Sequence, residues 1–266
     1  MKIKRIGIVI PAHNEEKRIR KTLEEYNSYF KKKNKIDKIK YTILVVINNT
    51  KDKTEQIVRE FTKKTNIVSY VNLKLGGKGY AVTEGFKYFI EKKYDIVGFV
   101  DADLSTSPHS FYDLIYNIGD YSAIVGNRWS SKSLISKKQT LIRRFASRVF
   151  NNLVKFLFFM KYQDTQCGAK VFKTNDLKNI VAEIFITQWA FDVNLLYLYK
   201  KNKLKVLEFP TVWNDRDFSN IDTIRASIKM FCGILRLRLV YSPFKFILRA
   251  YDDLPEILKL NHSLIK

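Results

Sequence analysis

The chain reads as an open α/β fold, a mostly parallel sheet flanked by helices. Three observations predict it. Short, nearly continuous apolar runs of strand length, such as RIGIVI at residues 5–10 and YTILVVI at residues 41–47, mark strands buried on both faces. Segments of helical period separate these runs at the spacing of βαβ units. One run, residues 96–100, ends in two acids, Asp101 and Asp103, at the place where such sheets gather their ligands, beyond the carboxyl ends of the strands.

The elements follow in order. The first strand, residues 5–10, stops at Pro11, and AHNEEKRI is expected to start a helix with Asn14 as its cap and acids in its first turn. Residues 41–47 form the second strand; the polar turn NNTKDKT and a helix to about residue 64 come next. The third strand spans residues 67–73, and the glycine-rich turn GGKG leads into a helix over 80–92. After the fourth strand, Ser105 or Ser107 should cap a helix with Pro108 at its first position. A fifth strand at 122–125 ends in GNRW, and beyond a basic stretch a long helix runs from about residue 139 to 160. Residues 169–172 are short and extended, 189–200 helical, and 204–209 strand before Pro210. From residue 224 the pattern changes: Ile224, Ile228, Phe231 and Leu235 share one helical face, while Arg225, Lys229 and Arg236 share another. The expected division is one domain over residues 1–220 and a basic amphipathic segment over 221–266, placed on a membrane surface or in packing.

A chain of 266 residues, 46% hydrophobic and 28% charged, can bury a large core. Its net charge of +22 implies an anionic partner: nucleic acid, an acidic membrane surface or phosphorylated small molecules. Solvated lysine runs such as residues 31–35 account for part of that excess. A nucleic-acid binder would interleave its basic residues with exposed stacking aromatics, whereas most aromatics here sit inside apolar periodic runs. Two cysteines, Cys167 and Cys232, make no disulfide framework and fit a reducing compartment. Scattered His13, His109 and His262 exclude a histidine-built metal centre. No signal-peptide pattern opens the chain, and no run approaches the roughly 18 apolar residues of a spanning helix, so a soluble or membrane-surface protein is expected.

The D-A-D pair carries the chemistry. In an extended segment residues i and i+2 point the same way, so Asp101 and Asp103 could hold one hard divalent cation together with substrate phosphates. The plainer alternative is an acidic turn that caps the next helix.

Four motifs stand in order around this pair: IPAHNEEKRI (residues 10–19), NNTKDKT (48–54), GGKGYAV (76–82) and VDADLSTSP (100–108). Together they resemble the nucleotide-sugar half of glycosyltransferase family 2, a Rossmann-like GT-A fold. The later GNRW, RRFAS, DTQCGAKVF and FDVNLL are similar to the branch that glycosylates dolichyl or polyprenyl phosphate. Within that branch they look nearest to the dolichyl-phosphate β-glucosyltransferases, with the dolichyl-phosphate mannose synthases as near relatives. The resemblance covers roughly residues 5–220.

The resemblance implies inverting transfer of a hexose from a nucleotide diphosphate sugar to dolichyl phosphate at the cytoplasmic membrane face. UDP-glucose is the first donor and GDP-mannose the second, with Mg²⁺ or Mn²⁺ as cofactor and protein glycosylation as the setting. It assigns Pro11, Ala12, Asn14 and Glu15 to the base and ribose, with Asn48, Asp52, Lys78 and Asp101 completing the donor site. Asp101 and Asp103 take the metal, and Asp103, Arg128 and Asp192 are the catalytic candidates. Arg128, Arg143 and Ser147 hold the acceptor phosphate, the last two sharing a helical face at i,i+4, while Arg144, Arg148 and Lys155 read as a solvated basic face. Asp164, Gln166 and Lys170 form an acceptor-side loop. Most relatives carry Asp-Asp-Gly-Ser where this chain has Ile47, Asn48, Asn49 and Thr50, which puts base selectivity in question. Glu15 also fits plain first-turn helix charge, and GKG fits an ordinary turn.

A phosphate monoester, with a second pKa near about 6, is largely a dianion at neutral pH and attacks without a protein base. Asp164 and Asp192 are the candidates if one is needed, and Cys167 has no neighbour to act as its base. The long helix turns apolar over residues 156–160, and the C-terminal stretch has a basic amphipathic face of the kind that lies in a membrane interface. Core or dimer packing is the other reading of both stripes. A polysaccharide synthase is disfavoured because export would need spanning helices.

Overall fold

The computed structural model describes residues 4–137, 141–185, 190–214 and 223–246. Four strands pair in parallel, as the apolar runs require: β1 (Arg5–Ala12), β2 (Lys40–Asn48), β3 (Val68–Leu73) and β4 (Ile96–Val100). β1 lies between β2 and β4, and β3 lies outside β2. A second parallel pair joins β5 (Ala123–Asn127) to β8 (Val206–Pro210). Between the two blocks sits β7 (Ala169–Lys173), antiparallel to β4 on one side and β5 on the other. The sheet order is therefore β3-β2-β1-β4-β7-β5-β8. Two short strands absent from the sequence reading, β6 (Leu134–Lys137) and β9 (Val212–Asn214), form a separate parallel pair.

Helices cover both faces. Side chains alternate along each strand, so Ile6, Ile8 and Ile10 of β1 pack with α1 (Ile19–Asp37), α2 (Thr54–Thr62) and α4 (Pro108–Tyr116). Val9 of the same strand faces α3 (Lys78–Glu91), α6 (Thr174–Glu183) and α7 (Phe191–Lys201). The fit on that face is tight, since a Cβ at Gly85 of α3 would lie 2.5 Å from a Val9 methyl. A third cluster joins α5 (Leu141–Phe158), α7 and α8 (Thr223–Val240) through Val154, Phe158, Val193, Leu196, Ile234 and Leu237. Phe231 and Leu235 of α8 are exposed instead.

The structure moves several boundaries. β1 continues through Pro11 and Ala12, in register with Val46 and Ile47. α1 begins only at Ile19, with no acid in its first turn. Asn14 is not its cap: it takes the left-handed conformation at φ 55°, and its side chain bonds across to the loop after β2. Ser107 caps α4 as expected, accepting from the Ser110 N–H, with Pro108 at the first helical position. Helix α6 and the antiparallel setting of β7 had no sequence expectation. Pro210 ends β8 rather than following it, which an edge strand tolerates because its missing N–H need not face a neighbour.

Two buried hydroxyls tie α1 to the acidic turn after β4. Thr22 donates to the Ala102 carbonyl at 2.6 Å and Tyr26 to the Thr106 carbonyl at 2.9 Å. Tyr26→Phe leaves that carbonyl buried without its partner and should lower unfolding free energy by about 1–3 kcal/mol, measured by denaturant titration.

Candidate active site

The carboxyl end of β4 delivers Asp101 and Asp103, but not by strand alternation. The chain turns at Ala102 and Asp103, and Leu104 adopts φ 60°, a left-handed conformation uncommon for a branched residue. Burial raises the Asp101 carboxyl above its ordinary value, Lys78 opposes the rise, and the charge of Asp103 adds to it. Asp103 accepts the Ser105 N–H at 2.9 Å and stays partly open to solvent.

Lys78 reaches this turn from the first residue of α3. Its neighbour Gly77 has φ 126°, a conformation that L side chains rarely adopt, and this lets the chain enter the helix with Lys78 over the sheet edge. The ammonium lies 2.6 Å from Asp101 and 4.0 Å from Asp192. Burial works against that charge, yet Asp101 and then Asp192 outweigh it and hold the Lys78 pKa above normal. Asp192, in the first turn of α7, is bound in turn by Lys170. Lys170 is wholly buried, donates to the Cys167 carbonyl at 2.6 Å, and shares the ring of Phe99 with Lys78. The result is an alternating row, Asp101–Lys78–Asp192–Lys170.

This row corrects one expectation and weakens another. Lys170 is not in an acceptor-side loop; it belongs to β7, and its ammonium points into the protein. Asp192 is poorly placed as a base, because burial raises its pKa less than Lys170 and Lys78 lower it. A carboxyl held below its normal range between two ammonium groups takes up a proton reluctantly.

Past the ends of β1 and β2, where the sequence predicts the donor loops, two loops are laced together. Asn14 accepts from the Lys51 N–H at 2.8 Å, and Thr54 accepts from the Glu15 N–H at 2.7 Å. Asp52 accepts from Glu16 N, Thr54 N, and the hydroxyls of Thr50 and Thr54. Those bonds overcome the effect of partial burial and lower its pKa. Asp52 thus holds the loop, with its oxygens already committed. Both oxygens of Glu15 are held by Arg18, at 2.6 and 2.7 Å. Burial raises the Glu15 pKa, against the pull of Arg18. Pro11 and Ala12 are buried in β1, and Asn48, closing β2, is buried with its carbonyl 2.8 Å from His13 Nδ1.

Arg128 follows β5 and is gripped by Asp164 through two guanidinium bonds, at 2.7 and 2.9 Å, and a backbone bond at 2.9 Å. The same guanidinium lies 4.9 Å from the Trp213 ring centre. Asp164 is 2% exposed. Burial pushes its pKa up, but Arg128 more than offsets this and holds it below normal. Asp164 therefore orients Arg128 and is no ready base. Several residues that the sequence did not single out fix this corner. Asn127 bonds Gln163 and the Trp129 N–H, and Glu208 accepts from Gln163 N and Asp164 N. Beside it a cavity of about 280 Å³ is lined by Trp129, Arg148, Asn151, Asn152, Lys155 and Gln163. Arg148 is exposed and Lys155 half-exposed, as a solvated basic face requires, and both border this recess. Ser147 is half-exposed on α5; the Arg143 side chain lies outside the described residues. Gln166 is partly exposed after Asp164, and burial raises the Cys167 thiol to about 12, leaving it inert.

Among the described residues no cluster of three or more His, Cys, Asp or Glu side chains forms. Two aspartates on one turn nevertheless suit Mg²⁺ or Mn²⁺, which take hard oxygen ligands and complete their shell with water and substrate phosphates. Asp101, now paired with Lys78, and the partly open Asp103 are the residues that fit.

A mostly parallel sheet with an acidic turn and a glycine-led lysine at its carboxyl edge places the candidate site where open α/β sheets gather their ligands. Residues 7–181 match the family described as glycosyl transferase family 2. A dolichyl-phosphate beta-glucosyltransferase of Dictyostelium discoideum is 30% identical over 247 residues, which is 89% of this chain and 74% of that protein. The one from Homo sapiens is 27% identical, covering 90% of this chain and 76% of the relative. Among solved structures, glucosyl-3-phosphoglycerate synthase from Mycobacterium tuberculosis, in complex with Mn²⁺, UDP and glucosyl-3-phosphoglycerate, superposes with a TM-score of 0.59 at 15% identity. The alignment covers 88% of this chain and 80% of that one and shows a shared GT-A fold. The chain belongs to glycosyl transferase family 2 and is a glycosyltransferase.

The Asp164–Arg128 pair makes a testable contribution. With the Asp164 pKa depressed in the folded state, its stabilisation is present above about pH 4 and is lost as pH falls through the folded value. Asp164→Asn should cost about 3–5 kcal/mol at neutral pH, because it leaves Arg128 buried without its counter-charge. It should also flatten the decline in stability below about pH 4, read from unfolding curves across pH.

Proposed function

We propose that this glycosyltransferase transfers glucose, with inversion, from UDP-glucose to dolichyl or another polyprenyl phosphate. The observation that carries the reading is the Lys78–Asp101 pair at the carboxyl end of β4, a cation and a carboxylate meeting where a sugar diphosphate would lie. The relatives named as dolichyl-phosphate beta-glucosyltransferases support the choice of sugar and acceptor.

In this reading the laced loops after β1 and β2 hold the nucleotide through Pro11, Ala12, Asn14, Glu15 and Asn48, with Asp52 acting indirectly by fixing the loop. Asp101 and Asp103 hold Mg²⁺ or Mn²⁺, as the Mn²⁺ of the M. tuberculosis synthase complex suggests. When bound, the ion supplies positive charge to the departing diphosphate. Lys78 is free to exchange Asp101 for a diphosphate oxygen, adding a second cation to the leaving group. An oxygen of the lipid phosphate dianion attacks the anomeric carbon, a new carbon–oxygen bond forms on one face, and the bond to the diphosphate breaks on the other, releasing UDP. No proton has to be removed, in keeping with Asp164 and Asp192 both being held below their normal pKa.

Arg128, Arg143 and Ser147 receive the acceptor phosphate, Arg128 being held ready by Asp164, with Arg148 and Lys155 adding positive charge beside them. The lipid tail is met by α5 and α8. Phe156 and Phe159 are 74% and 72% exposed, and Phe231, Leu235, Phe244 and Phe246 are exposed too. Among the described residues no helix is long and apolar enough to cross a membrane. In this reading the exposed phenylalanines meet the cytoplasmic face of the bilayer, and the basic amphipathic sequence of residues 221–266 is of the kind that binds there.

The test is to incubate the purified protein with dolichyl-phosphate vesicles, Mg²⁺ or Mn²⁺, and labelled UDP-glucose or GDP-mannose. Label from UDP-glucose should enter an organic-extractable phosphodiester; label from GDP-mannose alone would reject the donor. Asp103→Ala should abolish transfer and metal-dependent donor binding together. Arg143→Ala should raise the KM for the lipid phosphate at least tenfold with little change for the donor, and unchanged acceptor kinetics would remove it from the site.

A further inference from the structure

The carboxylate of Asp101 is seated in a space that exists because residue 168 has no side chain. A Cβ built on Gly168 would overlap Oδ2 and Cγ of Asp101, an overlap no real Cβ contact shows. The backbone at 168 is not in the left-handed region that favours glycine, so space and not backbone angle demands glycine there. The two segments are also joined directly, the Asp101 N–H donating to the Gly168 carbonyl at 3.1 Å. On its far side the carboxylate meets Lys78 at 2.6 Å. Lys78 cannot simply follow a displaced Asp101, since Asp192 and, behind it, the buried Lys170 define where a cation sits in the row.

We propose that Gly168 is a positioning residue for the donor site: the slot at its Cα aims the Asp101 carboxylate at the cation and diphosphate before either binds. The metal-directed half of this inference rests on the function proposed above; the slot itself does not. A methyl at 168 forces Asp101 to another rotamer, which takes one carboxylate from the cation and breaks the contact with Lys78. Residues that orient a metal's ligands typically cost about 10- to 100-fold in metal affinity when changed.

The experiment is a double-mutant cycle of Gly168→Ala and Asp101→Ala, read first by thermal unfolding without ligand. If the slot serves the carboxylate, Gly168→Ala lowers the melting temperature in the native background and much less, or not at all, once Asp101 is alanine. Equal losses in both backgrounds would mean that Gly168 meets a general packing need and would overturn the proposal. Should Gly168→Ala alone fail to fold, recovery of folding in the double variant supports the slot, and failure of both rejects it. The second reading is Mn²⁺ binding in the presence of UDP, followed by electron paramagnetic resonance. Folded Gly168→Ala should bind Mn²⁺ about 10- to 100-fold more weakly; native affinity would overturn the positioning role. A chain that shows the stability coupling but does not use UDP-glucose would remove the proposed donor while leaving the slot intact.

Discussion

The insertion of an antiparallel strand into an otherwise parallel sheet is the constraint on which this site depends. β7 runs between β4 and β5, pairing Val100 with Ala169 and Val125 with Lys170. That pairing brings Gly168, just before β7, against Asp101 at the end of β4. It also buries Lys170 under α7, where Asp192 meets it. Without β7 in this place, β4 would still end in two aspartates, but Asp101 would lose its backbone bond to Gly168 and Asp192 would lose its partner Lys170.

Charge is arranged in rows instead of being neutralised pair by pair. Asp101, Lys78, Asp192 and Lys170 alternate in sign, and Asp164 and Arg128 form a second pair nearby. Buried ions are costly unless closely paired and hydrogen-bonded, and removing one member leaves its partner stranded. The cost is accepted here because a ready site needs its dipoles and charges aimed before the substrate arrives. Each member of the row is held by its neighbours, so the charge at this sheet edge and the packing of β4, β7, α3 and α7 share the same side chains.

The two halves of the site differ in how they are held. After β1 and β2, backbone amides and short polar side chains lace two loops together, with Asp52 as the common acceptor. After β5, a guanidinium locked by a buried carboxylate stands beside a recess with two more basic side chains and a helix carrying exposed phenylalanines. A nucleotide is a small, polar, fixed shape and suits the first. A phosphate attached to a long apolar chain suits the second, where positive charge and apolar surface lie side by side.

By itself, the sequence determined the parallel core, the acidic turn after β4, a serine-capped helix start at Pro108 and the lysine between glycines; the structure chose Ser107 over Ser105 as the cap. These are local features: burial on both faces writes a continuous apolar run, a cap needs a hydroxyl next to its helix, and a tight helix entry needs a glycine. The start of α1 was misjudged because Asn14 has the composition of a cap but bonds to a loop brought near only by the β1–β2 pairing. Only the tertiary structure decided the rest. Whether Lys170 is a surface loop residue or a buried counter-ion depends on which strands flank β7, and its own neighbours in the chain do not carry that information. The same holds for Asp164 and Gly168, and for the one Asp52 bond that reaches across to Glu16. Each acts through a partner distant in sequence, and such a contact leaves no period or spacing along the chain to read.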